Sequence, residues 1–431
     1  MNKKLLAALA LTAVAGAAQA DVTLYGVIDL AVGSIQHSFS GSPTFPATVD
    51  PVDPLKTNVV GGVTGMFNGG VSPSRWGIKG TEDIGGGLKA FFTLESGIDA
   101  NSGNVSSAAA ATSANNPSPN QAAAPSSING QLFNRQAFVG LSDAKLGSLQ
   151  FGRNYAPGFD IVVAYDPVQA AQLFSPLGFS GSLGGALGIT EALRNDNSVV
   201  YKNKYDNFNY GAFYKFGNIA GSNSAGQGWA LNGGYEAGKF GVQAAYQSFN
   251  DVLDAATTNS SAPVPNPPSP STYTQGTIYV TEMNTRGYII TAKYLVTDAA
   301  TAKVGYQHFS RQAASDQYAV ANAPSYYGYA VGKIAQITAN RDFDVYWVGG
   351  DYNFSPSFNL AAGYYDVSLK ASSDNAQLAG DQRYYSLLAD YKFSKRTDVY
   401  LGVMQANFSG PQFAPYIGSN NITAIGMRHR F

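Results

Sequence analysis

The chain predicts an all-β fold, a transmembrane antiparallel β-barrel of sixteen strands with short periplasmic turns and long extracellular loops. Three observations carry that expectation. Apolar and polar side chains alternate with period two in segment after segment; short connections alternate strictly with long ones; and the chain stops inside such a segment, "NITAIGMRHRF", on an aromatic residue.

At the amino terminus, "MNKKLLAALALTAVAGAAQA" has two lysines, an apolar run from Leu5 to Ala15, and Ala18 and Ala20 ahead of Asp21. The run is shorter than the roughly 20 apolar residues of a spanning helix. Residues 1–20 therefore read as a secretory signal peptide and 21–431 as the barrel.

The first strand is "VTLYGVIDLAVG", with Leu24, Gly26, Ile28 and Leu30 on one face and Thr23, Tyr25, Val27 and Asp29 on the other. Strand side chains alternate faces, so one face is apolar and the other polar. "LKAFFTLES" repeats the pattern, with Leu88, Ala90, Phe92 and Leu94 against Lys89, Thr93 and Glu95. So does "RYYSLLADYKF", with Tyr385, Leu387, Ala389, Tyr391 and Phe393 against Ser386, Asp390 and Lys392.

The short connections, "TEDIGGGLK", "SDAKLGS", "YDNFNY", "YEAGKF", "TDAATAK", "NFSPSFN" and "KFSKRTD", have turn chemistry. Between them lie long, low-complexity stretches such as the Pro-rich "SSAPVPNPPSPSTYTQG". Seven short and eight long connections join sixteen strands and put both termini on the short-turn side. A sandwich carries comparable loops at both ends, whereas this asymmetry suits a membrane barrel. In lipid the sheet must close, so the last strand pairs with the first. That pairing sends Phe431, Met427 and Ile425 toward lipid and Arg428 and Arg430 toward the lumen. Sixteen strands leave room for water inside.

Composition excludes several functions. There is no Cys, hence no disulfide, thiol chemistry or cysteine metal site. Charged residues are 13%, below the roughly 25% of soluble domains. The 27 basic residues, two of them in the leader, face 28 acidic ones, which gives no reason to expect a nucleic-acid partner. His37, His308 and His429 stand isolated, and no serine-hydrolase elbow, zincin motif or phosphate loop occurs. No catalytic residues, metal or cofactor are expected.

"TLYGVIDLAVG", "SRWGIKGTEDIGGGLKAFFTLESG", "NRQAFVGLSDAKLGSLQFGRNY", "NSVVYKN" and the terminal Phe together resemble the general diffusion porins of Gram-negative outer membranes. The resemblance covers essentially all of 21–431. It implies a homotrimer in the outer membrane, passive diffusion of ions and small hydrophilic solutes, and a third loop folded into the pore. It further implies contact with bilayer and lipopolysaccharide, and a terminal Phe431 read as a signal by the outer-membrane assembly machinery.

Carried over by position, the basic side of the pore resembles Arg75 in "SRWG", Arg135 in "NRQAF" and Arg194 in "RNDNSVV". The loop from Ala156 to Leu193 would oppose them with Asp160, Asp166 and Glu191. Three bases against three acids imply weak ion selectivity. The family's acidic Pro-Glu-Phe-Gly tip is absent, replaced by "LFSPLGFSGSLGGALG", which leaves pore size and selectivity open. Arg153 shares the parity of Leu149, Phe151 and Tyr155, so it reads as facing a subunit interface or anchoring a loop. A substrate-specific channel is the nearest alternative. A surface adhesin using the long loops, or a barrel enzyme, stands further off.

Overall fold

The computed structural model describes residues 21–38, 63–105, 132–178, 194–257, 277–315, 325–326, 329–336, 340–370, 379–410 and 418–431. The expected leader lies outside them, as do parts of the long connections. The first half holds strands β1 (Asp21–Ser38), β2 (Val63–Asn68), β3 (Arg75–Gly85), β4 (Leu88–Asp99), β5 (Asn104–Val105), β6 (Gln136–Asp143), β7 (Gly147–Tyr155), β8 (Arg194–Tyr205), β9 (Phe208–Lys215) and β10 (Gly228–Ala237). The second holds β11 (Phe240–Thr257), β12 (Thr277–Leu295), β13 (Ala300–Gln312), β14 (Ser325–Tyr326), β15 (Tyr329–Gln336), β16 (Arg341–Ser355), β17 (Phe358–Leu369), β18 (Gly380–Lys392), β19 (Thr397–Ser409) and β20 (Ser419–Arg430). One helix, α1 (Pro157–Tyr165), follows β7.

These segments make sixteen wall strands. β2 and β3 pair with the two halves of β1, Leu30 opposite Asn68 and Val27 opposite Arg75, and so form one wall strand interrupted at Gly69–Ser74. β5 is a short return on the end of β4, and β14 and β15 form a hairpin whose second strand lies parallel to the outer end of β12. The remaining neighbours are antiparallel, as short turns require. β20 closes the barrel on β1, from Val27 opposite Arg430 to Ser38 opposite Ser419. The ladder continues past β20, because Phe431 and Gly26 exchange both backbone hydrogen bonds at 3.1 Å. A Cβ on residue 26 would lie 2.3 Å from the Phe431 ring, so glycine makes the room that the terminal aromatic occupies.

The two faces sort as the alternation requires. Val22, Leu24, Val139, Ile425 and Met427 are exposed on the outer face, while Asp29 and Glu95 are buried inside. On the outer face Tyr288 and Tyr294, Tyr346 and Tyr352, and Tyr385 and Tyr391 form pairs six residues apart, with exposed Ile290, Val348 and Leu387 between them. Neighbouring rings join into belts: Tyr306 stacks on Tyr346 at 4.7 Å, and Tyr364 meets Tyr385 at 5.2 Å. Amphipathic rings sit at membrane interfaces, so the belts bracket the hydrocarbon layer.

The connection after β7 turns inward. The Trp347 indole donates to the Tyr165 carbonyl (3.1 Å), the Gly158 amide donates to the Gln247 side chain (3.1 Å), and Phe174 meets Tyr400 edge-on at 6.3 Å. Those partners lie on β16, β11 and β19. The described part of the loop, 156–178, therefore crosses the lumen, and Val162, Tyr165, Val168, Leu173, Phe174 and Leu177 are buried against the inner wall.

Candidate pore constriction

Where this loop passes the wall of β3, β4 and β6 it leaves a cleft of about 300 Å3. Arg75, Arg135 and Glu95 line one side; Phe159, Val162, Val163, Gln169, Ala170, Gln172 and Leu177 line the other. β3 places Arg75 on the inner face opposite Gly97 of β4, and β4 carries Glu95 inward by the same parity. The Arg135 guanidinium donates through Nε to Glu95 Oε1 at 2.6 Å, and Arg75 Nε lies 3.5 Å from Glu95 Oε2. Tyr25 and Tyr155 hydroxyls donate to the same carboxylate at 3.1 and 3.4 Å. The two arginines thus share a single counter-ion.

Arg194 stands one layer behind. It is buried, its guanidinium 5.6 Å from the Tyr155 ring centre, and Arg135 approaches the same ring at 5.9 Å. Tyr155 in turn stacks on Phe159 of α1 at 4.3 Å, tying the basic wall to the loop.

Of the expected acids, Asp160 and Asp166 do not stand opposite these arginines. Asp160 is exposed on α1 and pairs with Lys202 of β8 at 2.5 Å. Asp166 is fully buried beneath the loop, so it presents no face to a passing ion. Its carboxylate accepts from the Tyr365 hydroxyl (2.5 Å), from Ser175 Oγ, and from the amides of Val168 (2.9 Å) and Ala170 (3.0 Å). Lys303 donates to its main-chain carbonyl at 3.0 Å. Burial raises the Asp166 carboxyl above the ordinary range, and the Ser175 and Tyr365 hydroxyls work against that rise. Asp166 is an anchor of the loop. Glu191 lies outside the described residues.

Parity also misplaced Tyr155. A bulge between Gly152 and Asn154 shifts the register of β7 against β8, so Tyr155 turns inward although Phe151 faces out. At the bulge Arg153 anchors a loop, donating to the Asn134 carbonyl at 3.0 and 2.8 Å and pairing with Asp196 at 2.6 Å. Nothing in the residue pattern marks the bulge except "FGRN", a glycine inside a strand.

In the cleft two permanently charged guanidinium groups stand across from loop residues that, among those described, carry no charge.

A family profile described as Gram-negative porin matches residues 6–411. The chain belongs to the Gram-negative porin family. An outer membrane porin protein of Bordetella pertussis is 30% identical over the full length of both chains. Outer membrane porin protein 32 of Delftia acidovorans is 30% identical over half of each. Among solved structures, an anion-selective porin from Comamonas acidovorans superposes with a TM-score of 0.61 at 18% identity, over 96% of this chain and 100% of that one. OmpT of Vibrio cholerae, in a form lacking its eighth loop, gives 0.60 at 16% identity, over 96% and 99%. This porin is accordingly an outer-membrane β-barrel channel.

Proposed function

We propose that this porin passes ions and small hydrophilic solutes by passive diffusion and prefers small anions at its waist. The carrying observation is the charge tally of the cleft: Arg75 and Arg135 against Glu95, with no carboxylate among the described residues on the loop side. At physiological salt, charges act over about 8 Å, and only a passage this narrow keeps a passing ion within that range. The Comamonas acidovorans protein of this fold, an anion-selective porin, supports the same reading.

The zero-current potential across a bilayer under a KCl gradient tests it. Arg75→Ala and Arg135→Ala should each move the potential toward cations, most at low salt. An unmoved potential for both variants removes the basic waist. Competition of charged and uncharged solutes for flux separates a general pore from a substrate-specific one, in which one solute class saturates.

The reading extends to assembly. The outer face from β19 through β20 and β1 to β7 carries no tyrosine among the described residues, in contrast to the belts elsewhere, and Leu24, Val32, Leu401, Ile425 and Met427 are exposed there. A face without a tyrosine belt suits contact with two further copies in a homotrimer. Lipopolysaccharide would cover the belted remainder, and Phe431 would serve the assembly machinery. The family and fold are those of channels, and the same reading assigns the chain no catalytic role.

A further inference from the structure

We propose that Asp29 is a positioning residue for the basic waist: it builds the inward turn that sets Arg75 in the wall and clasps the constriction loop. The proposal rests on the reading of Arg75 as a selectivity residue and goes beyond it to a group that no ion touches.

Asp29 sits on β1, fully buried, where the β2–β3 wall strand breaks at Gly69–Ser74. Its carboxylate accepts three successive amides of that turn, Gly70 (3.1 Å), Val71 (3.1 Å) and Ser72 (2.6 Å), and also the Tyr400 hydroxyl. Its main chain does the rest of the work of a lost ladder. The Asp29 carbonyl accepts Gly69 N (2.8 Å) and Ser74 Oγ (3.0 Å), and its amide donates to Ser74 Oγ (3.0 Å). Only glycine fits the bend: Gly69 has φ +79°, and a Cβ on Gly70 would lie 2.1 Å from the Tyr400 hydroxyl.

The turn then acts on both sides of the waist. The Leu173 and Gln172 amides of the loop donate to the Gly70 and Val71 carbonyls at 2.9 and 3.3 Å. Arg75, one residue beyond the turn, donates through Nη1 to the Pro73 carbonyl at 3.0 Å, and Arg428 of β20 donates to Ser72 Oγ at 2.8 Å. A carboxylate accepting several amides holds backbone in place strongly because each bond is charge-assisted. Asp29 is thus the common point from which loop and arginine take their positions.

The sign of the effect separates positioning from simple electrostatics. Deleting a negative charge near a pore by Coulomb interaction alone makes the pore more attractive to anions. Loss of the turn displaces Arg75 and does the reverse. In bilayers, the full-length Asp29→Asn porin should therefore shift toward cations by at least half of the shift seen for Arg75→Ala, and add little to it in the double variant. A shift toward anions, no shift, or full additivity overturns the proposal.

Because the chain has no cysteine, Val71→Cys at the buried tip of the turn provides a second readout. A charged thiol reagent should label it at least tenfold faster in the Asp29→Asn background; an equal rate overturns the proposal. If Asp29→Asn does not assemble, Ser74→Ala removes two main-chain bonds and Tyr400→Phe one side-chain bond to the same anchor without changing charge. They should give smaller effects of the same sign in both measurements, and wild-type behaviour in both overturns the proposal. An unmoved potential for both Arg75→Ala and Arg135→Ala sinks the basic-waist reading alone, while the labelling rate still decides whether Asp29 holds the turn.

Discussion

Asp160 and Asp166 are six residues apart on one loop, yet water separates their roles. Asp160 shares an exposed ion pair with Lys202, an interaction worth about 0–1 kcal/mol. Asp166 is sealed beneath the loop, where four donors converge on it. Removing that acceptor strands Tyr365, Ser175 and two amides, and each unsatisfied buried group costs about 1–3 kcal/mol. Asp166→Ala should therefore loosen the loop from the wall and produce large, noisy conductance fluctuations, while Asp160→Asn leaves single-channel records quiet. Wild-type noise in Asp166→Ala would contradict the anchoring role. The wall itself should keep its thermal transition, because no strand ladder passes through Asp166.

At the scale of strands, period-two alternation was enough to place Asp29, Glu95 and Arg428 inside and Leu24, Phe92 and Met427 outside, since every wall strand has one face turned out of the barrel and one toward its lumen. Phe92 lies opposite exposed Val139 and covers Gly80, several residues above the turn joining β3 to β4. In the single barrel, where this face meets lipid, Phe92→Lys should cost about 2–4 kcal/mol near mid-membrane, whereas Lys89→Ala, facing the lumen, should be nearly neutral. Urea titration of refolded protein in vesicles measures both, and equal midpoints would show the register to be wrong. Alternation fails where the chain leaves the regular ladder. The bulge that turns Tyr155 inward and the break at Gly69–Ser74 arise from contacts between distant strands, which local pattern does not encode. The loop was legible as a long connection after β7, but not the burial of Asp166, because its partners Tyr365 and Lys303 come from β17 and β13.

For the molecule as a whole, closure of β20 on β1 seats the Phe431 ring over Gly26 at the seam, so Phe431→Ser, which removes that ring, should lower the yield of assembled porin in cells. A normal yield of heat-modifiable protein would remove the role given to that ring. In mild detergent, light scattering should return the mass of three chains; a monomeric mass would withdraw the homotrimer and leave the barrel standing. The tyrosine pairs carry a further consequence. Six residues of strand extend about 20 Å, which a tilt near 40° foreshortens to about 15 Å along the membrane normal. Rings so spaced fit a hydrocarbon layer thinner than the roughly 30 Å of an average bilayer, and bacterial outer membranes are thinner than average. Hydrophobic mismatch then becomes a sorting force: vesicles of short-chain lipid should take up and fold the chain faster than long-chain ones. The spacing of tyrosines along a strand would thereby help to specify which membrane the barrel inhabits.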